Sequence, residues 1–335
     1  MYREQALPGK GVGCVAITKI KKGTLVVREK PILLLDRGPG SYLARVTTAF
    51  LAMAPKEQEG YLALANKYSI IESRWSDYSK EFKKVRDQEM KSFGTGKLSG
   101  ETITSVWQIL ETNSFNNGVC LKISRFNHSC RPNAEFFWNH DTGTRDVRAV
   151  RMIKPSEEIT LNYRKLGTLT REERMTYLRD YHHFECLCEA CDKSEAEVKQ
   201  ELLNCAQFRK LEEARKVAEE DQTENNFSLK LNRDEIESLK KMYSLAREMK
   251  IFRLASIVKN IVEEGFNAAC QGFYNTRFQS QMVDLRGQLL KDAHMFAEAG
   301  LQLSTTVFGK EHTTTQLWAR RRKEPIACFL EEMCS

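Results

Sequence analysis

Arg125-Phe126-Asn127-His128-Ser129-Cys130-Arg131-Pro132-Asn133 is the stretch on which the fold of this chain turns. Asn, His, Ser and Cys in succession, closed by Pro132, are hard to place as ordinary core. They offer several hydrogen-bonding groups and one thiol beside an apolar strand. Further along, Cys186, Cys188 and Cys191 stand in Phe184-Glu185-Cys186-Leu187-Cys188-Glu189-Ala190-Cys191, spaced Cys-x-Cys-x-x-Cys. Three thiols this close fill three corners of a tetrahedral zinc site, with metal–sulfur bonds of about 2.3 Å, and lack a fourth. Cys130 is the other cysteine embedded in a dense polar motif. His182 and His183, just before the cluster, are alternative fourth ligands. An all-thiolate set favours zinc, against the reading that the thiols are unliganded. If Cys130 closes the site, whatever lies between its segment and the later cluster is a candidate active site.

The rest of the composition sets bounds. The chain has 335 residues, 41% of them hydrophobic, enough for two or three domains with a real core. No run approaches the roughly 20 apolar residues of a membrane span, and Met1–Lys10 has no apolar segment of the kind a secretory leader carries. Ten cysteines in such a chain argue for buried, metal-bound or catalytic thiols rather than a disulfide framework. The net charge of +7 permits acidic partners without requiring them. Arg320-Arg321-Arg322-Lys323 reads either as a nuclear signal or as a solvated helix end.

Outward from the opening motif, the chain divides into three kinds of sequence. Cys14–Ile17, Thr24–Val27 and Ile32–Leu35 read as strands, with a turn at Lys21-Lys22-Gly23. Strand patterns return at Ala134–Trp138, Val147–Ile153 and Ile159–Tyr163, with a turn at Asp141-Thr142-Gly143. Between these two sets, after the break at Gly38-Pro39-Gly40, apolar residues recur at helical spacing from Ser41 to about Met90 (Leu43, Val46, Phe50, Met53, Tyr61, Leu64, Tyr68). A Gly-rich link, Phe93–Gly100, leads into a short helix within 105–133. Beyond Glu195 nearly everything is amphipathic helix: Gln200–Glu219, Arg233–Lys250, Ile251–Glu264 and Met282–Leu303, with a polar loop expected at Asp221–Ser228.

Two further motifs carry candidate chemistry. Pro8-Gly9-Lys10-Gly11-Val12-Gly13-Cys14 places glycines before a strand, where a ligand could approach the backbone without a Cβ in the way; an ordinary tight turn is the plain alternative. Glu157-Glu158-Ile159-Thr160-Leu161-Asn162-Tyr163 alternates as a strand and ends on a phenol, which can exchange hydrogen bonds while keeping one wall apolar.

Taken in order, these pieces resemble the SET domain of protein lysine methyltransferases. The resemblance covers about residues 5–35 and 105–192: a Gly-x-Gly entry loop, Asn-His-Ser-Cys-x-Pro-Asn, Glu-Glu-Ile-Thr-x-x-Tyr and a Cys-x-Cys-x-x-Cys tail. The SMYD-like branch, with related fungal SET proteins, is the nearest in pattern. Thr112-Asn113-Ser114-Phe115 resembles its Asn-Ser-Phe element, and Ala297–Lys310 with Glu311-His312 resembles the last repeat of its TPR-like region. Two features depart from it. Residues 36–104 hold no cysteine, hence no MYND zinc finger, and His182 stands where a second channel tyrosine is usual, with Tyr181 adjacent.

The resemblance implies an α+β chain. A β-rich SET (β-clip) core would be formed by 1–35 and 105–180, with a helical insert at 36–104, a zinc-bound post-SET tail at 181–195 and an all-helical TPR-like domain at 196–335. It implies S-adenosyl-L-methionine as methyl donor and one structural zinc held by Cys130, Cys186, Cys188 and Cys191. Lys10, Gly11, Gly13, Asn113, Ser124, Asn127, His128 and Phe184 would meet the donor. Tyr163 would be catalytic, and Tyr163, Tyr181 and His182 would line the lysine channel. A protein substrate (a histone or a non-histone protein), a nuclear or cytoplasmic monomer, no membrane and no direct nucleic-acid contact are the matching expectations. A non-catalytic SET scaffold that grips a peptide with its helices is the rival reading.

Overall fold

The chain opens on a hairpin, β1 (Tyr2–Leu7) and β2 (Gly11–Ala16), paired from Tyr2 opposite Ala16 to Leu7 opposite Gly11. The computed structural model describes residues 1–35, 41–67, 87, 98–115, 118–164, 168–220, 229–249 and 255–334. The expected break at Gly38-Pro39-Gly40, the helical spacing through Tyr68 to Met90, most of the Phe93–Gly100 link and the polar segment Asp221–Ser228 lie outside the described residues.

Three small sheets form the first half. β2 continues through β9 (Glu158–Leu161), antiparallel with Cys14 opposite Ile159, and β9 pairs in parallel with the two-residue β6 (Asn127–His128). A second sheet sets β8 (Thr144–Ala149) between β3 (Leu25–Glu29) and β7 (Ala134–Asn139). β4 (Leu33–Leu34) and β5 (Gly118–Val119) make a third. The apolar residues of the first two sheets meet in one core, where Ile20, Ile123, Phe126, Val147, Ile153, Ile159 and Leu161 are fully or almost fully buried, while Leu33 and Val119 of the third pack with the insert helices. The β1 strand has no counterpart in the sequence reading. Arg3, Glu4 and Gln5 make it polar, and it is an edge strand paired on one side.

The segment after Ser41 does not run as one helix. α1 (Tyr42–Leu51) begins where the Ser41 hydroxyl accepts from Ala44 N–H (3.1 Å), and α2 (Pro55–Leu62) begins anew at a proline. Pro55 has no N–H to give a preceding turn, and its ring drives Ala54 into extended backbone (ψ 151°), so the helix restarts there with Glu57 closing onto Ala54 N–H (2.9 Å). α3 (Gly100–Asn113) starts about a turn earlier than expected, on the Ser99 cap. It packs Val106, Ile109 and Leu110 against Phe50 and Tyr61 of α1 and α2.

α4 (Arg171–Tyr177) and a single π-helical turn, Leu178–His182, lead into the cysteine segment. Then come α5 (Glu195–Glu220), α6 (Leu229–Glu248), α7 (Ala255–Asn275), α8 (Val283–Val307), α9 (Thr313–Lys323) and α10 (Pro325–Cys334). Leu239, Val262, Phe266, Phe296 and Trp318 build their common core, and Phe137 of β7 packs onto it through Phe308, ring centroids 4.7 Å apart. The Arg320–Lys323 run is committed to intrachain pairs. Arg320 meets Glu331 (2.6 Å), Arg322 meets Glu298 (3.2 Å), and the buried Arg321 binds Glu332 with its guanidinium 4.5 Å from the Trp318 ring.

α5 is also tied to the cysteine segment by a buried ion cluster. Glu201 on α5 takes Arg174, Lys193 and, at 3.8 Å, Arg131. Arg174 is fully buried and also donates to the Leu169 (2.7 Å) and Ala190 (3.0 Å) carbonyls. Burial and a neighbouring guanidinium press on Arg131, while its cationic partners hold Glu201 below the usual carboxylate range. Removing one charge from such a cluster strands the others, which typically costs about 3–5 kcal/mol. Glu201→Gln is therefore expected to lower stability by about that much, read as a shift of the urea midpoint against an exposed Glu→Gln control.

Candidate active site

The opening motif lies along β9 because Asn133 fastens it there. The Asn133 side chain donates to the Glu158 carbonyl (2.8 Å) and to Glu157 (3.0 Å), and accepts from Thr160 N–H (2.9 Å). Ser129 N–H then reaches the Leu161 carbonyl (2.8 Å). The loop before the motif is held by Glu29 at the end of β3, whose carboxylate accepts from Lys122 N–H (3.0 Å) and Ile123 N–H (3.0 Å).

This registry brings His128 against Tyr163. Nδ1 of His128 accepts the Tyr163 backbone N–H (3.1 Å), so that nitrogen carries no proton, and Nε2–H points at Cys130 Sγ, 3.4 Å away. The imidazole thus spans the tyrosine and the thiol cluster. The Tyr163 hydroxyl donates to the Phe126 carbonyl (3.1 Å), which leaves its oxygen lone pairs for an incoming N–H. Burial pushes the Tyr163 phenol above its ordinary range, which favours its neutral form.

The glycine loop meets the same place from the other side. Gly9 and Gly11 both sit at φ +69°, the left-handed region, and carry the chain from β1 into β2. A Cβ on Gly13 would stand 2.6 Å from Asn127 Nδ2 and 2.5 Å from Leu7 Cδ1. The missing side chain lets Asn127 reach Glu158 Oε1 (2.9 Å), and Lys10 Nζ holds the other oxygen of Glu158 (2.7 Å). Glu158 therefore joins Lys10, Gly13 and Asn127. Sequence reading quoted it within its motif but gave it no role; its place between Asn127 and Lys10 depends on the β2–β9–β6 pairing.

Cys130, Cys186, Cys188 and Cys191 come together. Their sulfurs all lie within 4.8 Å of one another, with Cys130 Sγ 3.7 Å from Cys191 Sγ and 4.0 Å from Cys186 Sγ. A tetrahedral ion with sulfur bonds of about 2.3 Å spaces its ligands about 3.8 Å apart, so the donor set and its spacing fit zinc. Sharing protons, Cys130 pulls the Cys186 thiol far down while its own is pushed up. His183 is not drawn into this cluster; its left-handed backbone (φ 59°) ends the π-helical turn and redirects the chain toward Phe184.

Of the two candidate channel residues next to the cysteines, the fold brings His182 to Tyr163. Their ring centroids are 5.4 Å apart, whereas Tyr181 is 61% exposed and stacks on Tyr177 (4.6 Å). Phe184 packs at 5.9 Å from His128 and 6.5 Å from Tyr163. Asn113 is turned away: its amide donates to the Ala65 (2.7 Å) and Ile109 (2.8 Å) carbonyls, and only its backbone carbonyl meets Ser124 Oγ (3.3 Å). That side chain holds α3 to the insert.

Burial, and then the cation of Lys67, pull the His182 imidazole down to about 3 from 6.5. Between those values the unfolded chain takes up a proton at His182 that the folded chain refuses, so this stabilisation is present above about pH 6.5 and is lost as the pH falls toward 3. His182→Phe is expected to melt less acid-sensitively than the parent between about pH 6.5 and 4.5, measured as melting temperature against pH for both proteins.

Residues 11–164 match the SET domain model, and the matched span contains Gly11 and Gly13 of the glycine loop, Asn127-His128, Cys130 and Tyr163. This part of the chain is a SET domain with homology to SET methyltransferases. A putative SET domain-containing protein, L678, of Acanthamoeba polyphaga mimivirus is 29% identical over 215 residues, 58% of this chain and 78% of that one. Histone-lysine N-methyltransferase set5 of Schizosaccharomyces pombe is 27% identical over 199 residues, 59% of this chain and 53% of its own length. Human histone-lysine N-methyltransferase SMYD3 is 42% identical over 74 residues, 22% of this chain and 17% of the human protein. The chain thus spans about half or less of the two methyltransferases.

Proposed function

We propose that the protein transfers a methyl group from S-adenosyl-L-methionine to a lysine amine of another protein. The observation that carries this is the meeting of Tyr163, His128 and Asn127 over β6 and β9, between the open glycine loop and the cysteine knot. Homology of the SET domain to named lysine methyltransferases supports it.

The residues fit the donor. Gly11 has nothing within 4 Å of where a Cβ would stand, so its backbone is open to a ligand. Lys10, Gly11, Gly13, Asn127 and His128 would hold the donor, the Asn113–Ser124 backbone contact would border it, and Phe184 would supply an apolar face. The donor supplies an electrophilic sulfonium methyl. The chain does the rest by orientation: the Tyr163 oxygen accepts an N–H of a neutral amine and aims its lone pair, and the aromatic walls keep that amine dry, since an ammonium has no lone pair to attack with. Cys130, Cys186, Cys188 and Cys191 would hold a structural zinc, which would fix Phe184 against His128.

The finer reading is a SMYD-like chain without a MYND finger, with a post-SET tail over residues 181–195 and a TPR-like helical domain over 196–335, acting in the nucleus or cytoplasm on a histone or another protein. A non-catalytic scaffold is the second reading, favoured by His182 in the tyrosine's place. Purified protein with labelled S-adenosylmethionine, histones and a cell extract, with calorimetric binding alongside, tests both. Labelled protein is the expected result. Binding without transfer would favour the scaffold, and absence of binding would overturn the enzyme.

A further inference from the structure

Residues Ala63–Lys67 of the insert are laid against the elements that carry the site. Arg125 donates to the Ala63 carbonyl (3.1 Å), Asn113 to the Ala65 carbonyl (2.7 Å), and Asn66 to Gln108 (2.8 Å). Lys67 N–H meets Thr112 Oγ1 (3.2 Å). The segment is held through its backbone at several points, as a bound peptide would be, and it carries a lysine at position 67. The partly buried Lys67 Nζ donates to the Tyr181 carbonyl (2.9 Å), in the π-helical turn whose next residue, His182, faces Tyr163. The His182 Nε2 is buried without a hydrogen-bond partner.

From this placement we infer that Lys67 is an internal methyl acceptor, methylated by its own chain; the inference rests on the methyltransferase reading above. Burial lowers the basicity of the Lys67 amine, which favours the neutral form that the reaction needs. The ammonium first gives a proton to solvent. The nitrogen lone pair then bonds to the methyl carbon of the sulfonium donor, the carbon–sulfur bond breaks with its pair going to sulfur, and a thioether and a methylammonium result.

The test is the full chain incubated with labelled S-adenosylmethionine and no other protein, followed by mass spectrometry of the peptide containing residue 67. Label at Lys67 approaching one methyl per chain is expected, at a rate constant unchanged within about twofold over a tenfold dilution, because the acceptor is tethered. Tyr163→Phe should slow it on the order of a hundredfold. A parallel arm adds histones and cell extract. Label on those proteins with none at Lys67 would overturn the inference and leave the enzyme standing. A rate that rises with protein concentration would also overturn it, since transfer would then be between chains. Absence of all transfer would remove the methyltransferase reading and the inference together.

Discussion

Tyr163→Phe is expected to lower turnover by on the order of a hundredfold or more while cofactor affinity stays within about twofold. The ring remains to pack against His128, Phe184 and Phe115, and the backbone N–H still meets His128. What goes is the oxygen whose proton is given to the Phe126 carbonyl and whose lone pairs, in the proposed mechanism, would accept from an incoming amine. A hundredfold is about 2.7 kcal/mol of barrier, within reach of one oriented hydrogen bond in a desolvated site. The lost bond also leaves the Phe126 carbonyl with one partner fewer, at about 1 kcal/mol of stability. Single-turnover methyl transfer, with calorimetric binding of S-adenosylhomocysteine, separates the two effects. Unchanged turnover would remove Tyr163 from the mechanism.

Cys188→Ser is expected to take metal content from one zinc per chain to near none and to lower the melting temperature by on the order of 5 °C or more. Cys188 is the least buried of the four thiols, so the change disturbs packing least and isolates the ligand's role. A second consequence separates this from local damage. Cys130 receives the His128 Nε2–H, and Phe184 packs on the same imidazole. Loss of metal should therefore weaken cofactor binding as well, as partners of metal ligands commonly transmit such changes. Full zinc stoichiometry in the variant, by metal analysis after gel filtration, would sink the ligand assignment.

What could be read from the sequence divides by how local its cause is. The cysteine set was legible because three thiols at that spacing have few uses and a fourth was embedded in an unusual polar run. The β-branched strands were legible by alternation. Pro55 was visible, yet the helical spacing around it was read across as continuous; the spacing persists because both short helices face the same core. The choice between Tyr181 and His182 was not readable. It depends on a π-helical turn and on the left-handed His183 after it, which together decide which ring turns inward. Nothing in the sequence singles out Glu201, since two of its cations, Arg131 and Arg174, lie well away in the chain and Lys193 sits eight residues before it. Lys67 and the Tyr181 carbonyl are 114 residues apart, and no pattern in either segment announces the other.

The Glu201 cluster also bears on how the chain can be taken apart. A cut after residue 195 looks natural, because strands and cysteines lie before it and helices after. Such a fragment would keep Arg131 and Arg174 in the interior and discard the one carboxylate that pairs with both. Seams between modules are usually drawn where few contacts cross; here the crossing contact is a buried charge, so the helices complete the domain that precedes them. A fragment that keeps this interior paired must extend at least through the first turns of α5.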